Sequence, residues 1–199
     1  MKRKALLLAT TCTAKAFETF SARSFLPFVI EDARWSEYTL QNAIELKYLM
    51  VGAACMDQNS AAFLARQAFE KLYPIHPLFP TNGQEMWVAL LRYDWAEAPE
   101  DWDARTVVAG RWQDLDAAAQ KFVQGFGGKC QVVSIQAISA SKIAAEVWQE
   151  VREIGLPEGE ELPGVPHDLT GFPEWFIEGE NARRHVISND WKPEAEGCD

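Results

Sequence analysis

Lys129-Cys130-Gln131-Val132-Val133-Ser134-Ile135-Gln136-Ala137-Ile138 carries the clearest strand signal in the sequence. Strict alternation puts Val133, Ile135 and Ala137 on one face and Cys130, Val132 and Ile138 on the other. Apolar residues on both faces predict a strand inside its sheet, covered from above and below. Just upstream, Leu115, Ala118, Ala119, Phe122, Val123 and Phe126 recur at helical spacing behind Asp114, a capping residue type, and Gly127-Gly128 stop the pattern. Just downstream, Ser141 opens a second amphipathic helix with Ile143, Val147, Trp148, Val151 and Ile154 facing inward, ended by Gly155. Phe122 and Val133 are then expected to share one core.

Working outward, Met86 to Tyr93 and Thr106 to Trp112 read as two further strands. The resulting order from about 86 to 155 is ββαβα. It predicts an α+β domain with a mixed sheet and helices mainly on one face. The unit from Thr106 to Ile138 becomes a parallel β-α-β crossover if its strands share a sheet.

The flanks are less regular. Ala5 to Ala9 is continuously apolar and bounded by Thr10 and Thr11, which predicts a buried N-terminal strand. Lys2-Arg3-Lys4 and Ala14-Lys15-Ala16 imitate the ends of a signal peptide, but the apolar run between them is short for one, so an intact N-terminus is expected. Phe25 to Ala33, with Pro27, reads as extended or edge strand. A helical pair is expected over 36–73: Ser36 as N-cap and Leu40, Ile44, Tyr48 and Val51 on one face to Cys55, then Ala61, Leu64, Ala65, Ala68 and Leu72 after an Asp57-Gln58-Asn59-Ser60 interruption. A Pro- and Gly-rich loop between Tyr73 and Gly83 is the best internal boundary. The chain thus divides into 1–80 (strand and helices, part of the same domain), 81–156 (the sheet-forming region) and 157–199. The last segment carries five prolines beside Phe172, Trp175, Phe176, Ile177 and Trp191, and reads as an irregular C-terminal strap docked on the domain.

Charge narrows the function. The 199 residues carry 19 Lys and Arg against 29 Asp and Glu, a net charge of −10. Residues 1–80 hold nine basic and seven acidic groups, whereas 81–199 hold ten and twenty-two, so the negative excess lies entirely in the second part. Such a surface repels phosphate backbones and anionic lipid. Neither direct nucleic-acid binding nor membrane association is expected, and a basic protein surface is the natural partner. Solubility alone is the plainer explanation of the same charge. Cys12, Cys55, Cys130 and Cys198 form no CxxC pair, which fits reduced thiols in a cytoplasmic protein.

No motif announces chemistry. Gly125-Phe126-Gly127-Gly128-Lys129 ends a helix and opens a strand, the reverse of a phosphate loop. His76, His167 and His185 are isolated, and neither a metal site nor a cofactor site is expected. Cys12 beside one of those histidines would make a small intracellular enzyme, the main alternative. A structural subunit of an assembly such as a virion, with the strap docked on a neighbour, is another.

The outlying feature is Asp94-Trp95-Ala96-Glu97-Ala98-Pro99-Glu100-Asp101-Trp102-Asp103, five acids and two tryptophans without a base. Connections are usually filled with Gly, Ser or Asn. Large rings give an interface its anchors, and acids give it steering and register. The competing placement folds both indoles back onto the sheet. A second acidic stretch, Glu150 to Glu180, holds nine acids against Arg152 and peaks at Glu158, Glu160 and Glu161. The reading that follows is a non-enzymatic interaction protein. Its contact residues are Asp94, Trp95, Glu97, Glu100, Asp101, Trp102, Asp103, Glu158, Glu160 and Glu161. In its sharpest form it is an inhibitor that occupies a basic, nucleic-acid-binding surface of a host protein, as small viral or mobile-element proteins do.

Overall fold

A computed structural model describes residues 1–30, 37–72, 85–100 and 102–154. The elements run α1 (Arg3–Thr10), α2 (Ala14–Ala22), α3 (Leu40–Cys55), α4 (Gln58–Leu72), β1 (Met86–Trp95), β2 (Arg105–Arg111), α5 (Leu115–Gln124), β3 (Cys130–Ser139) and α6 (Ala140–Glu153). Together they form one α+β domain with an open three-stranded sheet.

The N-terminal segment is a helix, not the expected strand. Ala and Leu are the strongest helix formers, and a run of them has no period of its own to distinguish the two states. Burial of Leu6, Ala9 and Thr10 with exposure of Leu8 (51%) is the helical period that resolves it. Thr11 closes α1 in the left-handed region (φ 56°), and Thr13 caps α2 by accepting from the Ala16 N–H. Phe25 to Ile30 is likewise irregular, its Leu26 and Phe28 packed on the core instead of pairing in a sheet; 31–33 lie outside the described residues.

The helical pair forms, with adjusted caps. Thr39 rather than Ser36 starts α3, through a capping box: the Asn42 N–H donates to Thr39 Oγ1 (3.1 Å) and the Thr39 N–H to Asn42 Oδ1 (3.0 Å). Asp57 opens α4 by accepting from the Ser60 N–H at 2.9 Å, so the predicted interruption is a cap. Gly52 lets α4 approach closely, since a Cβ there would lie 3.1 Å from Ala61 Cβ. The loop from Tyr73 to Gly83 and the strap over 157–199 lie outside the described residues.

The sheet order is β2-β1-β3, and both pairings are antiparallel. The mixed sheet expected from sequence is therefore corrected. β2 and β3 do run parallel to each other and are joined through α5, but β1 lies between them and takes every ladder bond. Among the described residues the interior strand is β1, and β3 is an edge. Apolar residues on both faces of β3 report cover above and below it, which says nothing about its lateral neighbours.

Register supplies the second correction. Arg92 pairs with Ser134 and Tyr93 with Val132, so Val133 is an extra residue at a β-bulge. The bulge reverses the phase of β3. Cys130 and Val132 now share the face of Ile135, while Val133 is pushed out to 64% exposure. Phe122 and Val133 are consequently not in one core.

Val88 and Leu90 of β1, Val107 of β2 and Ile138 of β3 face α1, α3, α4 and α6 in a fully buried aliphatic core. Leu91, Tyr93 and Trp95 face the other way, against Ala119, Phe122, Val123 and Phe126. The stripe predicted for α5 is the one it uses. Asp114, however, makes no side-chain capping bond; it ends a short 3-10 turn, Trp112–Asp114. Gly127 (φ 65°) and Gly128 (φ 79°) take the left-handed turn that returns the chain to β3. At the start of α6, Ser139 Oγ accepts from the Lys142 N–H (3.3 Å), and Ser141 Oγ accepts from the Met86 N–H (3.0 Å), fastening helix to strand.

Candidate functional site

The acidic tryptophan segment lies where β1 ends and β2 begins, on the α5 face. Asp94 and Trp95 are the last residues of β1, not loop residues as the sequence implied. The chain then turns, with the Ala98 N–H bonded to Trp95 O (2.9 Å) and the Trp102 N–H to Pro99 O (3.0 Å). Trp95 packs between Trp102 (ring centroids 5.4 Å apart) and Phe126 just past the end of α5 (5.1 Å). Tyr93 lies beneath, 5.3 Å from Phe122 and 5.7 Å from Phe126. Its hydroxyl accepts the indole N–H of Trp102 at 2.9 Å. A single aromatic cluster therefore fixes both indoles.

The two rings are not equivalent. Trp95 is half-buried, part of the small core. Trp102 is 46% exposed at its rim, with its one polar atom already satisfied. Around them Asp94, Glu97, Glu100 and Asp103 are all exposed. Glu97 pairs with Lys129, and Asp103 with Arg105 at 2.6 Å. Arg105 also lies over the Phe63 ring of α4 (4.6 Å), which anchors the end of the segment. Asp94 and Glu100 form no ion pair among the described residues. Asp101, Glu158, Glu160 and Glu161 lie outside them.

The sequence missed a second aromatic pair at the opposite end of the same face. Trp87 and Trp112 stand 4.7 Å apart, and Trp112 is 62% exposed. Its position directly before Gln113-Asp114, a polar turn, is the signal that it leaves the strand.

The enzyme alternative rests on Cys12, which is buried between α1 and α2. Burial pushes its thiol up from the ordinary value, outweighing the Phe17 backbone N–H and Lys47, so it is a poor thiolate. Cys130 is also pushed up, first by burial and then by the Asp94 carboxylate. His76, His167 and His185 lie outside the described residues. Among the described residues, no three His, Cys, Asp or Glu side chains gather as a metal would need, and no helix is long and apolar enough to cross a membrane.

By fold, this is an α+β domain with helices on both faces of a three-stranded antiparallel sheet and an aromatic, acid-rimmed corner at the β1–β2 turn. No protein-family model matches the chain, and a comparison with curated proteins finds no match.

Proposed function

We propose that this chain is a non-enzymatic interaction protein whose acid-rimmed Trp102 corner docks on a basic protein surface. The observation that carries the reading is Trp102: a large ring, nearly half exposed, held in place by Tyr93 and surrounded by exposed carboxylates. A ring whose N–H is already bonded loses little on burial by a partner, and its fixed rotamer costs little further entropy. The Glu97–Lys129 pair is exposed on both sides and contributes little to folding, so Glu97 can exchange Lys129 for a partner's cation at small cost. The net charge of −10 steers the same kind of partner. In its sharper form, the partner is a groove that otherwise binds nucleic acid, and the carboxylates take the place of phosphates there. The protein is then an inhibitor of the kind that viruses and mobile elements direct at a host.

The test is a pull-down from the native source, identified by mass spectrometry and repeated with two variants on the purified partner. Trp102→Ala is expected to accelerate dissociation by about tenfold or more, the scale of an anchor residue. Asp94→Ser/Glu97→Ser/Glu100→Ser is expected to slow association and flatten its salt dependence. A partner held equally well by both variants overturns the reading.

A further inference from the structure

We infer that the outer edge of β3 is a self-association surface, and that two copies of this chain join β3 to β3 about a two-fold axis into one six-stranded sheet. The inference is independent of the Trp102 corner. It starts from composition. β3 is 10 residues long, CQVVSIQAIS, and contains no charge, proline or glycine, although it is an edge strand. Edge strands are ordinarily guarded by lysine, proline or inward-pointing charge. The other edge follows that rule: β2, RTVVAGR, carries Arg105 and Arg111 at its two ends. In a protein with 48 charged residues out of 199, β3 is, of the two edges among the described residues, the one that carries no such guard within the strand.

Geometry favours a second copy of this strand as the occupant. The bulge at Val133 leaves Ser134–Ser139 as the regular part of the edge. A two-fold axis normal to the sheet pairs identical strands antiparallel and keeps each face on its own side, provided the axis passes through a residue pair. Centred on Gln136, it sets Ile135 against Ala137 on the α5 face, Ser134 against Ile138 on the helical face, and Gln136 against itself. Each side-chain amide has a donor and an acceptor for its mate. No like charges meet, which is the usual obstacle when an acidic protein meets itself. An isologous contact of this kind closes as a dimer and leaves no further edge of the same type.

Sedimentation of the full chain at up to about 100 μM is expected to show a monomer–dimer equilibrium. Raising the salt should strengthen the dimer, because screening relieves the repulsion between two chains of net charge −10. Gln136→Glu and Gln136→Lys each place like charges on the axis and should weaken the dimer by about tenfold or more. Mixing the two variants should restore it as a heterodimer. Should either variant fail to fold, hydrogen exchange on the unmodified chain decides: amides within Ser134–Ser139 should gain protection at high protein concentration and lose it on dilution. A chain that stays monomeric throughout, including one whose β3 edge is covered by its own residues, overturns the inference. So does a dimer that both variants leave intact.

Discussion

On one side of β1, Met86, Val88 and Leu90 enter a core that draws residues from α1, α2, α3, α4 and α6; on the other, Leu91, Tyr93 and Trp95 meet α5. The first core is mainly aliphatic and reaches full burial at Leu6, Ile44, Leu46, Leu49, Leu64 and Val88. The second is small and aromatic, and its rings run out to solvent at Trp102. A short helix cannot cover a ten-residue strand, so both ends of that face stay partly open, with tryptophans standing at each. Full burial is concentrated on the helical side, and partly exposed aromatic surface on the α5 side.

If that division holds, the largest losses come from the helical side. Leu90→Ala and Leu6→Ala should each cost about 2–5 kcal/mol in denaturant unfolding. Leu6 carries extra information because it also tests α1. A neutral Leu6→Ala would mean that the first helix is not part of the folded core. Phe122→Ala, on the α5 side, should cost about 2 kcal/mol, below the full-burial range because the ring is only half-buried. Near-equal losses on the two faces would erase the contrast.

Two carboxylates on the helical side should respond to pH in opposite ways. Glu45, buried on α3 and bonded by Gln41 Nε2 (2.7 Å), has its carboxyl held above the ordinary value, chiefly by burial. Its folded form is favoured while protonated, and that contribution is lost as pH rises through the raised value. Glu45→Gln should therefore raise the thermal midpoint at neutral pH and have little effect in acid. Asp57, the α4 cap, is held below the ordinary value by its bonds from Ser60 and, to a lesser degree, by Arg92. Its contribution is present above the ordinary carboxylate range and is lost as pH falls through the lowered value. Asp57→Ala should cost about 1 kcal/mol at neutral pH, as capping residues do, and progressively less in acid. Thermal scans across pH read both signs at once.

Much of the fold was legible because its elements have a period. The stripes of α5 and α6 and the helical pair follow 3.6-residue repeats, and the three strands were found by their apolar runs; α5 itself ends at Gln124, ahead of the Gly127-Gly128 turn expected to stop it. Misreadings arose where periodicity is silent, and once, at the Val133 bulge, where a clear alternation is broken by one extra residue. Ala5 to Ala9 is apolar at every position, so only burial in three dimensions separates strand from helix. Facial patterning cannot reveal that β1, not β3, has neighbours on both sides. Trp95 and Trp102 stand in the segment the sequence singled out and touch each other, but which ring is core and which is rim depends on Tyr93 and Phe126, one directly before the segment and one just past the end of α5. Trp112 was counted as strand and is instead among the most exposed large apolar residues described.

The smallest effect is the most discriminating for the sheet. Val132 and Val133 are adjacent, chemically identical and opposite in fate. Val132 packs into the aromatic cluster opposite Tyr93, and Val133 is the bulged residue, 64% exposed. An unbroken alternation starting from the Ile135 face would place Val133 inside and Val132 on the other face. Val132→Ala should then cost about 1 kcal/mol, the lower part of the range for deleting half-buried methyl groups. Val133→Ala should stay within about 0.5 kcal/mol, as solvent-facing substitutions do. The two variants share composition, strand and β-propensity change, so their difference isolates the bulge from every other property of the edge. A larger loss at Val133 than at Val132 would remove the bulge, return β3 to simple alternation and move Phe122 and Val133 into one core. It would also shift the regular part of the edge away from Ser134–Ser139, and with it the axis through Gln136.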